Sequence, residues 1–142
     1  MRLPKLRQRM EDSLEGLEPE EVVSNYSRGR AFEYAVRDDM RGRGFVAIRS
    51  PASKSPADVY CMSRDMDVLI QCKADGKLPP KEWNDFMDYC EKAGAIPVLA
   101  MRDNRGRGIV YKLLTDRKRR GGRQPMVDWI PPERGSKWSS AT

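Results

Sequence analysis

The chain has 142 residues, 39% of them hydrophobic and 34% charged, with a formal net charge of +6, a length that makes one domain with a core of its own. It contains no histidine, which excludes His-based triads, His-ligated zinc and imidazole acid–base catalysis. No apolar run nears the roughly 20 residues that span a bilayer, and the basic start Met1–Met10 lacks the apolar stretch of a secretory signal, so a cytoplasmic protein without membrane contact is expected. The three cysteines, Cys61, Cys72 and Cys90, form no CxxC pair and read as reduced, mostly buried thiols. A sequence pI of about 9.4 favours a polyanionic partner.

Residues 1–26 read as an N-terminal extension, basic from Arg2 to Arg9 and acidic from Glu11 to Glu21. A short helix over Leu6–Leu17 would end at Glu18-Pro19. From Ser27, a suitable cap, Phe32, Ala35, Val36 and Met40 follow helical spacing, and Gly42 and Gly44 stop the helix. Glu33 lies beside this stripe, where it can be a solvated carboxylate or border a cleft. Phe45–Ile48 is a short strand, followed by the polar, Pro-punctuated loop Arg49–Pro56. In that loop Ser53, Lys54 and Ser55 are either ordinary connector residues or small donors for phosphate oxygens.

Val59–Met62 and Val68–Cys72 flank a polar break at Ser63–Asp65 and read as a hairpin. Side chains alternate across a strand, so Gln71 and Lys73 share one face and Cys72 points to the other. With the turn centred on Arg64–Asp65, Asp58 lies directly opposite Gln71 and faces the same way. A carboxylate, an amide oxygen and an ammonium then converge on one patch, a place for a metal ion and a phosphate.

After Lys73 a loop leads to a second helix over Lys81–Lys92, in which Trp83, Phe86, Met87 and Cys90 make a wide apolar face, either core or subunit interface. Ala95–Met101 and Ile109–Leu114 are the remaining strands, joined by a turn at Asp103–Gly108. The order helix, strand, hairpin, helix, strand, strand is that of an α/β single domain, a mixed sheet flanked by helices, over residues 27–114. Residues 115–142 then form a C-terminal tail in which Arg117, Lys118, Arg119, Arg120, Arg123, Arg134 and Lys137 outnumber Asp116, Asp128 and Glu133. Such an arm is either solvated or tracks a phosphate backbone.

Glu33 on a helix, Pro56-Ala57-Asp58 entering one strand and Gln71-Cys72-Lys73 ending the next resemble the PD-(D/E)xK nuclease superfamily, whose fold is restriction-endonuclease-like. The order and spacing of Arg28–Glu33, Gly44–Ser50, Ser53-Lys54-Ser55 and Gly94–Ala100 are similar to those of archaeal-type Holliday junction resolvases, from Ser27 to Leu114. The resemblance implies a homodimeric, Mg²⁺-dependent endonuclease, with Mn²⁺ able to substitute, that makes symmetric paired nicks in a four-way DNA junction. Carried over by position, Glu33, Asp58, Gln71 and Lys73 are its catalytic residues. Asp58, Gln71, Glu33 and the backbone carbonyl of Cys72 are its metal ligands. The DNA contacts would come from Arg28, Arg30, Arg49, Ser53, Lys54 and Ser55 and, on the charge of the tail rather than the resemblance, from Arg117, Lys118, Arg119 and Arg120.

One departure stands out. The usual second acid is Gln71, which keeps an oxygen ligand and loses a negative charge; Asp75 or Glu33 could restore some of it. The alternatives are therefore a non-cleaving branched-DNA-binding module on a nuclease fold, favoured by Gln71, and a nuclease of the same fold acting on other DNA structures.

Overall fold

The computed structural model describes residues 28–50, 55–105 and 108–133. The N-terminal extension with its expected helix, the loop residues Ser53 and Lys54, and the last nine residues lie outside them. The chain divides after Ala31, and the unit from Phe32 onward carries the sheet.

Helix α1 (Arg28–Gly42) leads to β1 (Val46–Arg49) and the hairpin β2 (Val59–Met62) and β3 (Asp67–Cys72). Helix α2 (Pro80–Ala93) crosses over to β4 (Ile96–Arg102), and β5 (Ile109–Leu114) and β6 (Met126–Trp129) follow. The six strands lie in sequence order in one sheet. Only β3 and β4 run parallel, which is the connection that needs a helical crossover; all other neighbours are antiparallel.

Alternation along the central strands assigns the two helices to opposite faces. Val68 and Ile70 of β3 and Val98 and Ala100 of β4 pack with Phe32, Val36 and Met40 of α1. Their neighbours Leu69 and Leu99 pack with Trp83, Phe86 and Cys90 of α2. β3 is therefore covered on both sides, which is why it reads as a continuous apolar run. Cys61 and Cys90 are free and buried, and burial pushes both thiols up to about 12.

Local chemistry sets the element ends. Pro80 stands at the start of α2, and Gly94 ends it in the left-handed conformation with φ of 66°, a geometry that favours glycine. The β2–β3 turn is closed by Ser63, whose hydroxyl donates to the Met66 carbonyl at 2.7 Å and accepts from the Met66 amide at 3.1 Å. Met62 faces Asp67 across it, so the turn centres on Arg64–Asp65 as expected.

Two expectations change. Ile109–Leu114 is not the last strand: β6 pairs with it from Tyr111↔Trp129 to Leu114↔Met126. Between β5 and β6, the expected free arm is fastened to α2. The Lys118 amide donates to Asn84 Oδ1 at 2.8 Å, Asn84 Nδ2 donates to the Lys118 carbonyl at 3.1 Å, and Lys118 Nζ donates to the Leu78 carbonyl at 3.0 Å. Trp83 Nε1 donates to the Asp116 carbonyl at 2.8 Å, while Arg117 pairs with Asp88 and, at 3.3 Å, with Glu91. Trp83 and Phe86 are fully buried within this unit and β4 is an interior strand. Trp83 and Phe86 are therefore not available as the subunit interface that the sequence left open.

Asn84→Ala removes both reciprocal bonds to Lys118. It should cost about 2 kcal/mol of stability, at roughly 1 kcal/mol per hydrogen bond, and expose the 116–124 segment to protease. Urea denaturation and limited proteolysis read the two effects.

Candidate active site

The β2–β3 ladder ends at Val59↔Ile70, and the residue before Val59 does not continue it. The Asp58 amide donates to the Ile70 carbonyl at 2.8 Å, and the Asp58 carbonyl accepts from the Ser50 amide at 2.8 Å. The backbone pair expected between Asp58 and Gln71 is thus replaced by a step in the ladder. The Asp58 side chain takes over as acceptor, receiving the Cys72 amide on Oδ2 at 2.8 Å. A side-chain oxygen stands where a strand carbonyl would otherwise serve, and it holds the carboxylate at the end of β3.

Around it lies a cleft of about 380 Å³ lined by Glu33, Ser55, Pro56, Asp58, Gln71, Cys72, Lys73, Glu82 and Asp85. All four expected catalytic residues are therefore brought together. Gln71 is 8% exposed, and its carboxamide NH₂ donates to the Pro56 carbonyl. Only that end of the group can donate, so Oε1 is the atom Gln71 offers to the cleft. The Cys72 side chain packs against the opposite, α1-side core; there burial, then Asp58, raise its thiol well above the ordinary range. Its contribution to the cleft is its backbone.

The charges are paired. Arg49, at the end of β1, reaches Glu33 Oε1 with Nε and Nη2, both at 3.0 Å, and its guanidinium stacks over the Tyr34 ring at 4.5 Å. Lys73 Nζ lies 3.3 Å from Glu82 Oε2. Asp58 is pushed up to about 6, first by burial and then by Glu33, against the Cys72 amide, Lys73 and Arg49, which all pull it down.

Ser55 also lines the cleft, and its hydroxyl is hydrogen-bonded to the Tyr60 hydroxyl, itself 2.6 Å from that of Tyr89. Arg30 is exposed on α1, and the Arg28 side chain lies outside the described residues. Arg117 and Lys118 are engaged by α2 and the loops beside it, whereas Arg119 and Arg120 are exposed and make no ion pair among the described residues.

Glu82 and Asp85 were not singled out by the sequence. The signal was present: a crossover helix begins near the carboxyl end of the strand before it, where open α/β sheets bind ligands. Asp75, an acid expected to restore charge, instead accepts the Lys77 amide at 3.0 Å and does not line the cleft.

Among the described residues no three His, Cys, Asp or Glu side chains gather as metal ligands. A cation here would rest on Asp58, Gln71 Oε1, the Cys72 carbonyl and water, a hard-oxygen set that suits Mg²⁺, while Glu33, the fourth expected ligand, is engaged by Arg49.

The family model for archaeal Holliday junction resolvases (Hjc) matches residues 24–123, well over half the chain. The chain belongs to this family. Its fold is that of Hjc from Archaeoglobus fulgidus, a Holliday junction resolvase from an archaeal hyperthermophile solved at 1.6 Å. That structure aligns with a TM-score of 0.51 and 20% identity over 59% of this chain and 70% of its own. No curated protein matches. The matched residues of the Hjc family extend past β5 into the segment that α2 fastens.

Because the pKa of Asp58 is raised on folding, the folded chain binds this proton more tightly than the unfolded chain. The contribution of Asp58 to stability is then fully present below about pH 4 and is lost as pH rises to about 6, by about 3 kcal/mol. Asp58→Asn keeps an acceptor for the Cys72 amide and removes the buried charge. In EDTA at pH 7.5 it should be about 2–3 kcal/mol more stable than wild type, with the advantage gone near pH 4. Urea denaturation across that range checks it.

Proposed function

We propose that this chain is a structure-specific endonuclease that resolves four-way DNA junctions by metal-dependent phosphodiester hydrolysis, giving symmetric paired nicks. The observation that carries the reading is the clustering of Asp58, Gln71 and Lys73 at the end of β3 in a member of the Hjc family. Asp58, the Gln71 side-chain oxygen and the Cys72 carbonyl would hold Mg²⁺, or Mn²⁺ in its place. When bound, such an ion supplies a Lewis acid beside the scissile phosphate.

The chain's own groups divide the remaining work. Asp58 is kept in place by the Cys72 amide, so its free oxygen has one direction to offer. Lys73 presents an ammonium to the same cleft and would donate to the phosphate or orient the attacking water. Arg49, fixed by Glu33 and stacked on Tyr34, and Ser55, fixed by Tyr60, would meet neighbouring phosphates. Arg119 and Arg120 extend the basic surface. Two paired cuts call for a two-fold dimer with one cleft per subunit. Among the described residues no helix is long and apolar enough to cross a membrane.

A second reading, a junction-binding module that does not cleave, draws on Gln71, since an amide leaves Asp58 as the carboxylate in the expected ligand set not paired to a cation. The deciding experiment compares a labelled synthetic four-way junction with linear duplex, in Mg²⁺ and in EDTA, for wild type and Asp58→Asn. Paired, Mg²⁺-dependent nicks confined to the junction are expected, with a loss of about a hundredfold or more in Asp58→Asn. Tight binding without cleavage in Mg²⁺ or Mn²⁺ would favour the second reading. Equal cleavage of linear duplex would keep the nuclease and discard the junction.

The arginines separate in a second test. Arg119→Ala with Arg120→Ala should lower the slope of log affinity against log salt by about 2 at unchanged stability. Arg117→Ala, which breaks the pairs with Asp88 and Glu91, should leave that slope in place.

A further inference from the structure

The cleft has an electrostatic deficit that its expected residues do not fill. Glu33 is neutralised by Arg49, and the charges of Asp58 and Lys73 oppose each other, so with a neutral residue at Gln71 the motif and its arginine sum to no net charge. A site of that kind has little to hold a divalent cation. Gln71 nevertheless lines the cleft from a position 8% exposed, and its NH₂ donates to the Pro56 carbonyl, which leaves the side-chain oxygen as the end that can serve a cation. Such an oxygen is a built ligand with Asp58 alone as its charged companion.

The first turn of α2 supplies one. Glu82 and Asp85 both line the cleft, but Asp85 is held by Lys81 at 2.9 Å on the helix surface. Glu82 instead reaches across to Lys73, Oε2 to Nζ 3.3 Å. The structure assigns to Glu82 the role vacated at Gln71: beside Asp58 it serves as the second acid for a cation, delivered from α2 rather than from β3. It positions Lys73 and supplies the negative charge that lets Asp58 and Gln71 hold a divalent cation. The placement follows from the topology, since the loop leaving the end of β3 returns as α2 and brings its first turn back to the strand end. It makes Gln71 tolerable, because a carboxylate at both positions would leave the cleft with one more charge than a β3 acid alone provides. The inference rests on the cleft being the proposed metal-dependent nuclease centre, and it concerns cation affinity, which is measured without DNA.

The test is Mn²⁺ binding to the full chain, followed through the electron paramagnetic resonance signal of the free ion, for wild type, Glu82→Gln, Asp85→Asn, Gln71→Glu and the double variant Gln71→Glu/Glu82→Gln. Glu82→Gln should bind Mn²⁺ about tenfold more weakly, with thermal unfolding near that of wild type because the pair with Lys73 is half exposed. Asp85→Asn should stay within about twofold of wild type, and Gln71→Glu should return the affinity that Glu82→Gln loses. The assignment is overturned if wild type binds Mn²⁺ no more tightly than Glu82→Gln. It is equally overturned if Asp85→Asn loses as much, or if Gln71→Glu fails to rescue. A chain that binds Mn²⁺ as described yet leaves junctions uncut would overturn the proposed cleavage and leave the role of Glu82 standing.

Discussion

The hydrogen bond from the Cys72 amide to Asp58 Oδ2, at 2.8 Å, is the contact on which the cleft depends. A carboxylate pushed up to about 6 by burial needs a partner to stay in place, and here the partner is a strand end. Because Asp58 replaces a ladder carbonyl, its position is set by the same register that aligns Val59 with Ile70. The next strand fixes the other side: Gln71 and Cys72 lie beside Leu99 and Ala100 of β4, and the Lys73 amide donates to the Ala100 carbonyl at 3.0 Å. Site residues at the end of an interior strand inherit the rigidity of two core clusters, which holds their geometry fixed.

The parts legible in the sequence were those that local pattern encodes. Alternation gave the hairpin, its turn and the common face of Gln71 and Lys73. Helical spacing at Phe32, Val36 and Met40 marked the side of α1 that packs on the sheet, and Trp83, Phe86 and Cys90 did the same for α2. What escaped depends on long-range partners. β6 is four residues of Met-Val-Asp-Trp that become a strand by pairing with β5, and nothing short-range distinguishes them from a tail. Arg117 and Lys118 look like half of a basic run, but Asp88, Glu91 and Asn84 meet them across the fold. Sequence counts charge; it does not show which charges are already spent.

The same distinction applies to the acids. Asp75 is near the motif in sequence and turns out to cap a turn, whereas Glu82 is farther along the chain and lines the cleft. Proximity in the chain pointed to an acid outside the cleft because the crossover helix returns to the strand end only in three dimensions. A family pattern read along one strand cannot report an acid that arrives from a helix.

The most direct measurement follows the Asp58 carboxyl by carbon-detected NMR as a function of pH, in EDTA and in saturating Mg²⁺. The account predicts titration near pH 6 without the ion and a fall of about one unit or more with it, since a bound cation favours the charged carboxylate. An Asp58 that titrates at the same pH in both conditions would contradict the claim that this cleft holds the metal for phosphodiester cleavage.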